Sequence, residues 1–539
     1  MQTPRRDVLK LAGGGIAASL MTAPALFAAN PSDASGAGRN GKGTYDVRGY
    51  GAVGDGTTID TPAINKAIAA AASSGGGTVL FPAGTYACYS IHLQSHVTLF
   101  LEQGAVILAA PAPAEGSSGG YDEPEPNETW HMYQDYGHNH WHNSLIWGEG
   151  LNDISICGPG RIWGRGLSRG NGPESHNPAD RRTSGVGNKS ISLKNCHNVV
   201  LKDFQILQGG WFGILVTGVD NLTIDNLTID TNRDGMDIDC CRNVRVSNCT
   251  VNSPWDDAIV PKSSFALGYA RPTENVTISN CYVTGAYELG TLLDGTLKKF
   301  PDGTHVSRTG RIKMGTESNG GFKNIAISNC IFEGCHGLAL ETVDGALLED
   351  IAITNITMRD IVSAPIFFRL GARMRGPANG SVGQLRRVLI GNIVASNVNP
   401  RQCSILSGIP GHRIQDVQIG DVYIQHQGGG TREQAALRLP EMENGYPEPT
   451  MFGISPAQGF YLRHVQNIDM SHVEIASLTS DDRPDFALEN VSGAEFLRIR
   501  TQKVQGVPTF YLQNVDNFSC SLSRGIPNTT LDDVTEKTL

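Results

Sequence analysis

Charge is the scarcest commodity in this chain. Only 18% of its 539 residues are Asp, Glu, Lys or Arg, while 64 are Gly. That balance argues against a fold of solvated helices and for one of turns and buried strands. A positive excess is also missing: the formal net charge is −10, which speaks against nucleic acid or an anionic membrane as a partner. It does not exclude an acidic ligand, because a local basic cleft can sit on an acidic protein. No phosphate-cradling glycine loop is present. The histidines at 131, 138, 140 and 142 fit no standard metal-ligand spacing, so neither a cofactor nor a metal is expected. Beyond residue 29 the chain lacks any apolar run long enough to cross a membrane. The one apolar stretch, Leu11–Ala29, is interrupted by Gly13, Gly14, Gly15 and Pro24 and follows Arg5-Arg6. It reads as an export signal of the twin-arginine type over residues 1–29, with a Gly/Ser/Asn-rich linker at 30–43 and a periplasmic or secreted mature protein.

What the chain does have is a recurring phrase. Asn198-Val-Val-Leu-Lys-Asp, Asn221-Leu-Thr-Ile-Asp-Asn and Asn243-Val-Arg-Val-Ser-Asn are followed by copies at Asn275, Asn324 and Asp350, and by looser ones at Asp416 and Asn467. The tightest spacings are 221 − 198 = 23 and 243 − 221 = 22, the mark of a solenoid. Each copy alternates apolar and polar residues, so each is a strand with one face inward. Terminal Asn and Asp suit turns and can stack into side-chain ladders. The pattern predicts an all-β, right-handed parallel β-helix over 44–539. Residues 44–110 form an N-terminal cap that includes a helix at Thr61–Ala72, since a solenoid end exposes apolar core. Wider gaps, 243 to 275 and 275 to 324, mark inserted loops. The aromatic loop at 110–143, with Trp130, Tyr133, Tyr136 and Trp141, reads either as the wall of a saccharide cleft or as a flap packed on the solenoid. Eleven cysteines are an odd number. Cys196, Cys249, Cys281 and Cys330 share an Asn-Cys setting that suggests one stacked column, and Cys240 or Cys241 is the best candidate for a disulfide.

Chemistry concentrates where the repeat turns acidic. Asn232-Arg-Asp234-Gly-Met-Asp237-Ile-Asp239 lies on one coil and Pro254-Trp-Asp256-Asp257 on the next, and 256 − 234 = 22 equals the period. Residues one period apart stack about 4.8 Å apart at the backbone. Three crowded acids repel, so at least one holds a proton at a raised pKa. A protonated acid beside ionised partners is the equipment of glycoside hydrolysis: one group protonates the leaving oxygen, another activates water. Turn aspartates or a calcium site would also gather acids.

These residues resemble glycoside hydrolase family 28, the polygalacturonases, from Tyr45 to about residue 370. The carrying motif is Asn232-x-Asp234 followed one coil later by Asp256-Asp257. The resemblance implies a right-handed β-helix and hydrolysis with inversion of galacturonosidic linkages in pectin. It implies Asp256 as general acid and Asp234 and Asp257 as water-activating bases. The family's Gly-His-Gly is matched by Gly334-Cys-His336-Gly, with His336 tuning the acid. Its substrate-gripping Arg-Ile-Lys is present as Arg311-Ile-Lys313 but precedes His336, so an inserted coil is expected between them. Arg369, Lys262 and Asn232 are further substrate-binding candidates. This rearrangement points to a branched or modified pectin, and the long loops at 110–143, 164–190 and 286–310 point to attack at chain ends. The competing readings are a calcium-dependent β-helix lyase and a non-catalytic polysaccharide-binding β-helix.

Overall fold

The computed structural model describes residues 43–114, 118–168, 184–301, 303–378 and 380–539, all within one compact unit. The export signal and most of the linker lie outside these residues, as does the loop at 169–183. None of the described helices is long and apolar enough to cross a membrane.

The described residues form the right-handed parallel β-helix that the repeat predicts. One core column runs in continuous parallel register through Val199, Leu222, Val244, Val276, Ile325, Ile351, Val388, Val417, Ile468, Ala494 and Phe518. All are buried. Each repeat begins with a residue in the left-handed region, Asn198, Asn221, Asn243, Asn275, Asn324, Asp350, Asp416 and Asn467, at φ between 54° and 60°. Asn and Asp tolerate that conformation better than other side-chain-bearing residues. Their amides then bond coil to coil: Asn221 to Asn198 at 2.9 Å, Asn243 to Asn221 at 3.2 Å, Asn275 to Asn243 at 3.1 Å and Asn324 to Asn275 at 2.8 Å. The ladder explains why Asn, rather than Gly, opens the repeat.

Both ends are covered. The helix Thr61–Ser73 buries Ile64, Ala67, Ile68 and Ala71 against the first strands. At the other end Thr529–Thr538 pairs antiparallel with Phe510–Ser521, so the last coil presents no open parallel edge.

Two expectations about cysteine change. All eleven thiols are free, Cys240 and Cys241 included. Cys249, Cys281 and Cys330 do stack on successive coils, through Tyr282 N–H to Cys249 O and Ile331 N–H to Cys281 O. Cys196 instead precedes its strand and belongs with Val219 and Cys241, linked through Asp220 N–H to Cys196 O and Arg242 N–H to Val219 O. The Asn-Cys dipeptide occurs at two different corners of the coil, which sequence alone does not separate.

Candidate active site

Functional side chains collect on the sheet whose strands include Phe212–Thr217, Asp234–Asp239 and Ile259–Lys262. Asp234 stands at the head of its strand. The next coil delivers Asp256 and Asp257 just before Ile259–Lys262, tied in by Gly235 N–H to Asp257 O at 3.0 Å. The Asp256–Asp257 turn is fixed from below by Trp255 N–H to Asn232 O at 3.2 Å and by Ser253 Oγ to Arg233 O at 2.6 Å. One carboxylate oxygen from each of Asp234, Asp256 and Asp257 lies within 4.8 Å of the others. Asp234 and Asp257 are buried, while the side chain of Asp256 keeps 27% of its exposure. Asp256 is thus the member that faces solvent.

The apparent inserted coil is a loop. Residues 285–308 leave the solenoid after Tyr282–Thr284, and the same coil returns at Arg311-Ile-Lys313, where Ile312 bridges Ile259 in parallel. Arg311-Ile-Lys313 therefore stacks directly on the coil of the aspartate pair, through Ala258 N–H to Arg311 O at 2.8 Å. His336 lies one coil further on, held by its N–H to Thr309 O at 3.0 Å. No extra coil lies between them, and Arg311-Ile-Lys313 still precedes His336 by one coil.

Electrostatics divide the three acids. Burial first, then the charges of Asp256 and Asp237, raise the Asp234 carboxyl well above the ordinary carboxylate range. Burial acts the same way on Asp257, but Lys313 at 3.2 Å and Arg311 Nε at 2.8 Å overcome it and hold that carboxyl below the ordinary range. Arg233 makes a short ion pair with Asp256 and lies 3.7 Å from Asp234. Burial and the Arg311 charge depress the His336 pKa, so its ring is neutral near neutral pH.

Several participants left no mark on the sequence pattern. Lys262 is bound by Glu317 at 3.1 Å and Asp237 at 3.7 Å, and Asp237 also meets His138 Nε2 at 3.1 Å. That histidine comes from the 110–143 loop. The loop is mainly a flap: Trp141 is buried, with Lys194 at 4.2 Å over its ring, and Tyr136 stacks on His140 at 4.2 Å. Glu341, one coil above Lys313 at 3.7 Å, is pushed up to about 7 by burial. A strap from the 427–459 connection adds Tyr446, with Lys313 5.5 Å from its ring centroid, and Glu448, whose carboxylate makes a short ion pair with Arg311 and lies 4.0 Å from Lys313 and 3.8 Å from His336 Nδ1.

Arg369 does something other than face a substrate. It is fully buried and donates to Ser407 Oγ at 2.8 Å, Gly408 O at 3.1 Å, and Glu441 O and Met442 O at 2.9 Å each. With Arg463, which donates to Leu439 O at 2.9 Å and Pro440 O at 2.8 Å, it clamps four consecutive carbonyls of the strap.

Residues 44–112 match the family described as rhamnogalacturonase A/epimerase, pectate lyase-like, and residues 176–296 match the right-handed β-helix region. Plasmin and fibronectin-binding protein A of Streptococcus pneumoniae is 30% identical over 265 residues, 46% of this chain and 32% of that protein. The probable polygalacturonase of Vitis vinifera is 24% identical over 400 residues, 70% of this chain and 73% of that protein. The family 28 exopolygalacturonase of Yersinia enterocolitica superposes with a TM-score of 0.57 at 18% identity, covering 84% of this chain and 78% of that one. The chain is polygalacturonase-like. Because similarity to a plasmin and fibronectin-binding protein as well as to polygalacturonases does not dictate chemistry, the site has to be argued from its own groups. Two clusters of described residues bring three ligand-type side chains together, Asp234–Asp256–Asp257 and Glu125–His142–Glu149. In the first, Arg233, Arg311 and Lys313 already sit on the carboxylates; in the second, Lys194 lies 3.0 Å from Glu149.

Proposed function

We propose that this chain is a glycoside hydrolase that cleaves a galacturonate-containing linkage of a branched or modified pectin, by a single displacement run by three aspartates. The observation that carries the reading is the opposite electrostatic treatment of neighbouring carboxyls. Asp257, ionised between Arg311 and Lys313, is the base that draws a proton from water. Asp234, held well above the ordinary carboxylate range by burial and by the charges of Asp256 and Asp237, keeps a proton beside Asp256. Asp256, the exposed member, delivers it to the leaving oxygen. Asp234 thus moves from the base role that the resemblance implied to that of proton-holding partner. His336, neutral and beside Glu448, orients the cation pair rather than exchanging protons itself. Export through the twin-arginine signal belongs to the same reading, because a polymer this large is met outside the cytoplasm.

The test is a product assay on polygalacturonate, its oligomers and rhamnogalacturonan, with and without chelator. New reducing ends, no ultraviolet-absorbing unsaturated product and no effect of chelator are expected; an unsaturated product abolished by chelator would replace hydrolysis with elimination. The strap and loops around the site support attack at chain ends, so monomer or dimer should accumulate first, and an early ladder of long products would rule that out. The close spacing of the oxygens suits a nucleophile as well as a base, which makes the product anomer informative. Proton NMR of the first product should show inversion; retention would make Asp257 a nucleophile.

The pH profile has a stated sign. The proton on Asp234 is bound below its raised pKa, so the rate falls as pH rises through that value. On the acid side the rate falls only when Asp257 takes a proton, below the ordinary carboxylate range. Asp234→Asn removes the carboxyl that holds the proton. It should lower kcat severely and move the alkaline limb of the profile to lower pH. An unchanged limb would remove Asp234 from the proton-holding role.

A further inference from the structure

A uronate carboxylate would be recognised by a pair of buried cations, and the polygalacturonase-like site owns one in Arg311 and Lys313. The pair is already spoken for. Arg311 spans Asp257 and Glu448, and Lys313 spans Asp257, Glu341 and Glu448. The neighbouring cations are matched too: Lys262 by Glu317 and Asp237, Arg233 by Asp256, and Arg373 by Asp344 with Nε at 2.9 Å. Among the described residues, each of these five cations has a carboxylate of the chain itself within ion-pair distance.

Glu448 differs from the other carboxylates in origin. The rest grow from the solenoid wall, whereas Glu448 hangs from the strap, and the strap is fixed by its backbone. Arg369 and Arg463 grip the carbonyls of Leu439 to Met442, and Ala372 N–H reaches Glu443 O at 2.8 Å. This holds Glu448 at the cation pair with 23% of its side chain exposed, on the solvent side of two fully buried cations. The carboxylate is placed where that of a sugar acid would otherwise sit.

We propose that Glu448 sets substrate specificity by filling the carboxylate seat of Arg311 and Lys313, so that the sugar ring bound against this pair is uncharged. The ring is then either a neutral sugar or a uronate whose carboxyl is esterified. An ionised uronate at that position would leave two carboxylates facing one cation pair, a like-charge contact in a site of low dielectric. A branched pectin supplies this arrangement, with uncharged rings next to galacturonate. The inference rests on the glycosidase reading above and names the substrate class of that site.

Glu448→Gln tests it. The amide keeps an acceptor for Arg311, and Arg311 keeps Asp257, so the fold is retained and an unchanged Tm verifies this. Binding is measured by calorimetry on the full chain with three probes: trigalacturonate, its methyl ester, and an oligosaccharide alternating rhamnose with galacturonate. The wild type should favour the ester or the alternating probe over the free acid. Glu448→Gln should gain about tenfold for the acid and little for the others, the size of a single removed like charge. Whichever of the two uncharged-ring probes binds more tightly identifies the source of the ring. A wild type that prefers the free acid, a Glu448→Gln variant with unchanged ratios, or no binding of any probe by either protein would overturn the proposal. Failure of the glycosidase reading is recognised separately, by wild-type protein releasing no reducing ends from any pectic substrate.

Discussion

Asp256→Asn gives a folded protein whose turnover falls by roughly 10²–10⁴-fold. The amide is nearly isosteric and keeps an oxygen for Arg233 and for the Asp257 N–H, which Asp256 accepts at 3.1 Å. What disappears, under the proposed mechanism, is the exposed group that hands a proton to the leaving oxygen. Substrate binding should be nearly unaffected, so the loss appears in kcat rather than KM. A substrate with an activated leaving group needs less protonation and should recover most of the rate. Pre-steady-state assays on an aryl glycoside and on the natural linkage would compare the two directly. Equal losses on both would mean that Asp256 acts elsewhere than on the leaving group.

Arg369→Met should produce the largest loss of stability of any substitution in the site region, on the order of 3 kcal/mol for the strap. Burial, with Arg463 alongside, pushes the Arg369 pKa down to about 10, so the group is still charged at neutral pH. Its hydrogen bonds to the strap are therefore charge-assisted. Methionine fills much of the volume but leaves the carbonyls of Glu441 and Met442 without their donor. The damage should stay local, because a solenoid coil depends chiefly on its neighbours. Hydrogen exchange is the measurement of choice: amides at 437–448 should exchange faster while the core column from Val388 to Ile468 stays protected. Loss of protection across the whole solenoid would show that Arg369 supports the sheet itself.

Much of this was legible in the sequence, for a physical reason. A coil of about twenty-two residues turns distance along the chain into position in space, so the repeat yields the fold and the spacing of Asp234 from the Asp256–Asp257 pair puts them on adjacent coils, with Asp257 the one in register. The same logic misled where a loop interrupts the count. The 285–308 excursion imitated an extra coil between Asp257 and His336, although Arg311 and His336 occupy consecutive coils. Arg369 reads from the sequence as a substrate-binding candidate and is instead a buried clamp, since nothing in Pro365-Ile-Phe-Phe-Arg says what lies above it. Glu448 and Tyr446 were invisible because the 427–459 segment has no periodicity, and a non-repeating stretch carries no information about where it folds back. Arg233 was within reach, inside the motif itself, but a lone arginine in a turn does not announce an ion pair with an acid one coil away.

The clamp of Arg369 and Arg463 has a consequence for how such a site can diversify. It holds main-chain oxygens, which every amino acid possesses, and beyond the Glu441 carboxylate beside Arg463 it leaves the side chains of Met442 to Glu448 out of the contract. The strap is therefore an interchangeable part: its residues can be rewritten for another sugar while the solenoid, the three aspartates and the two arginines that carry it stay as they are.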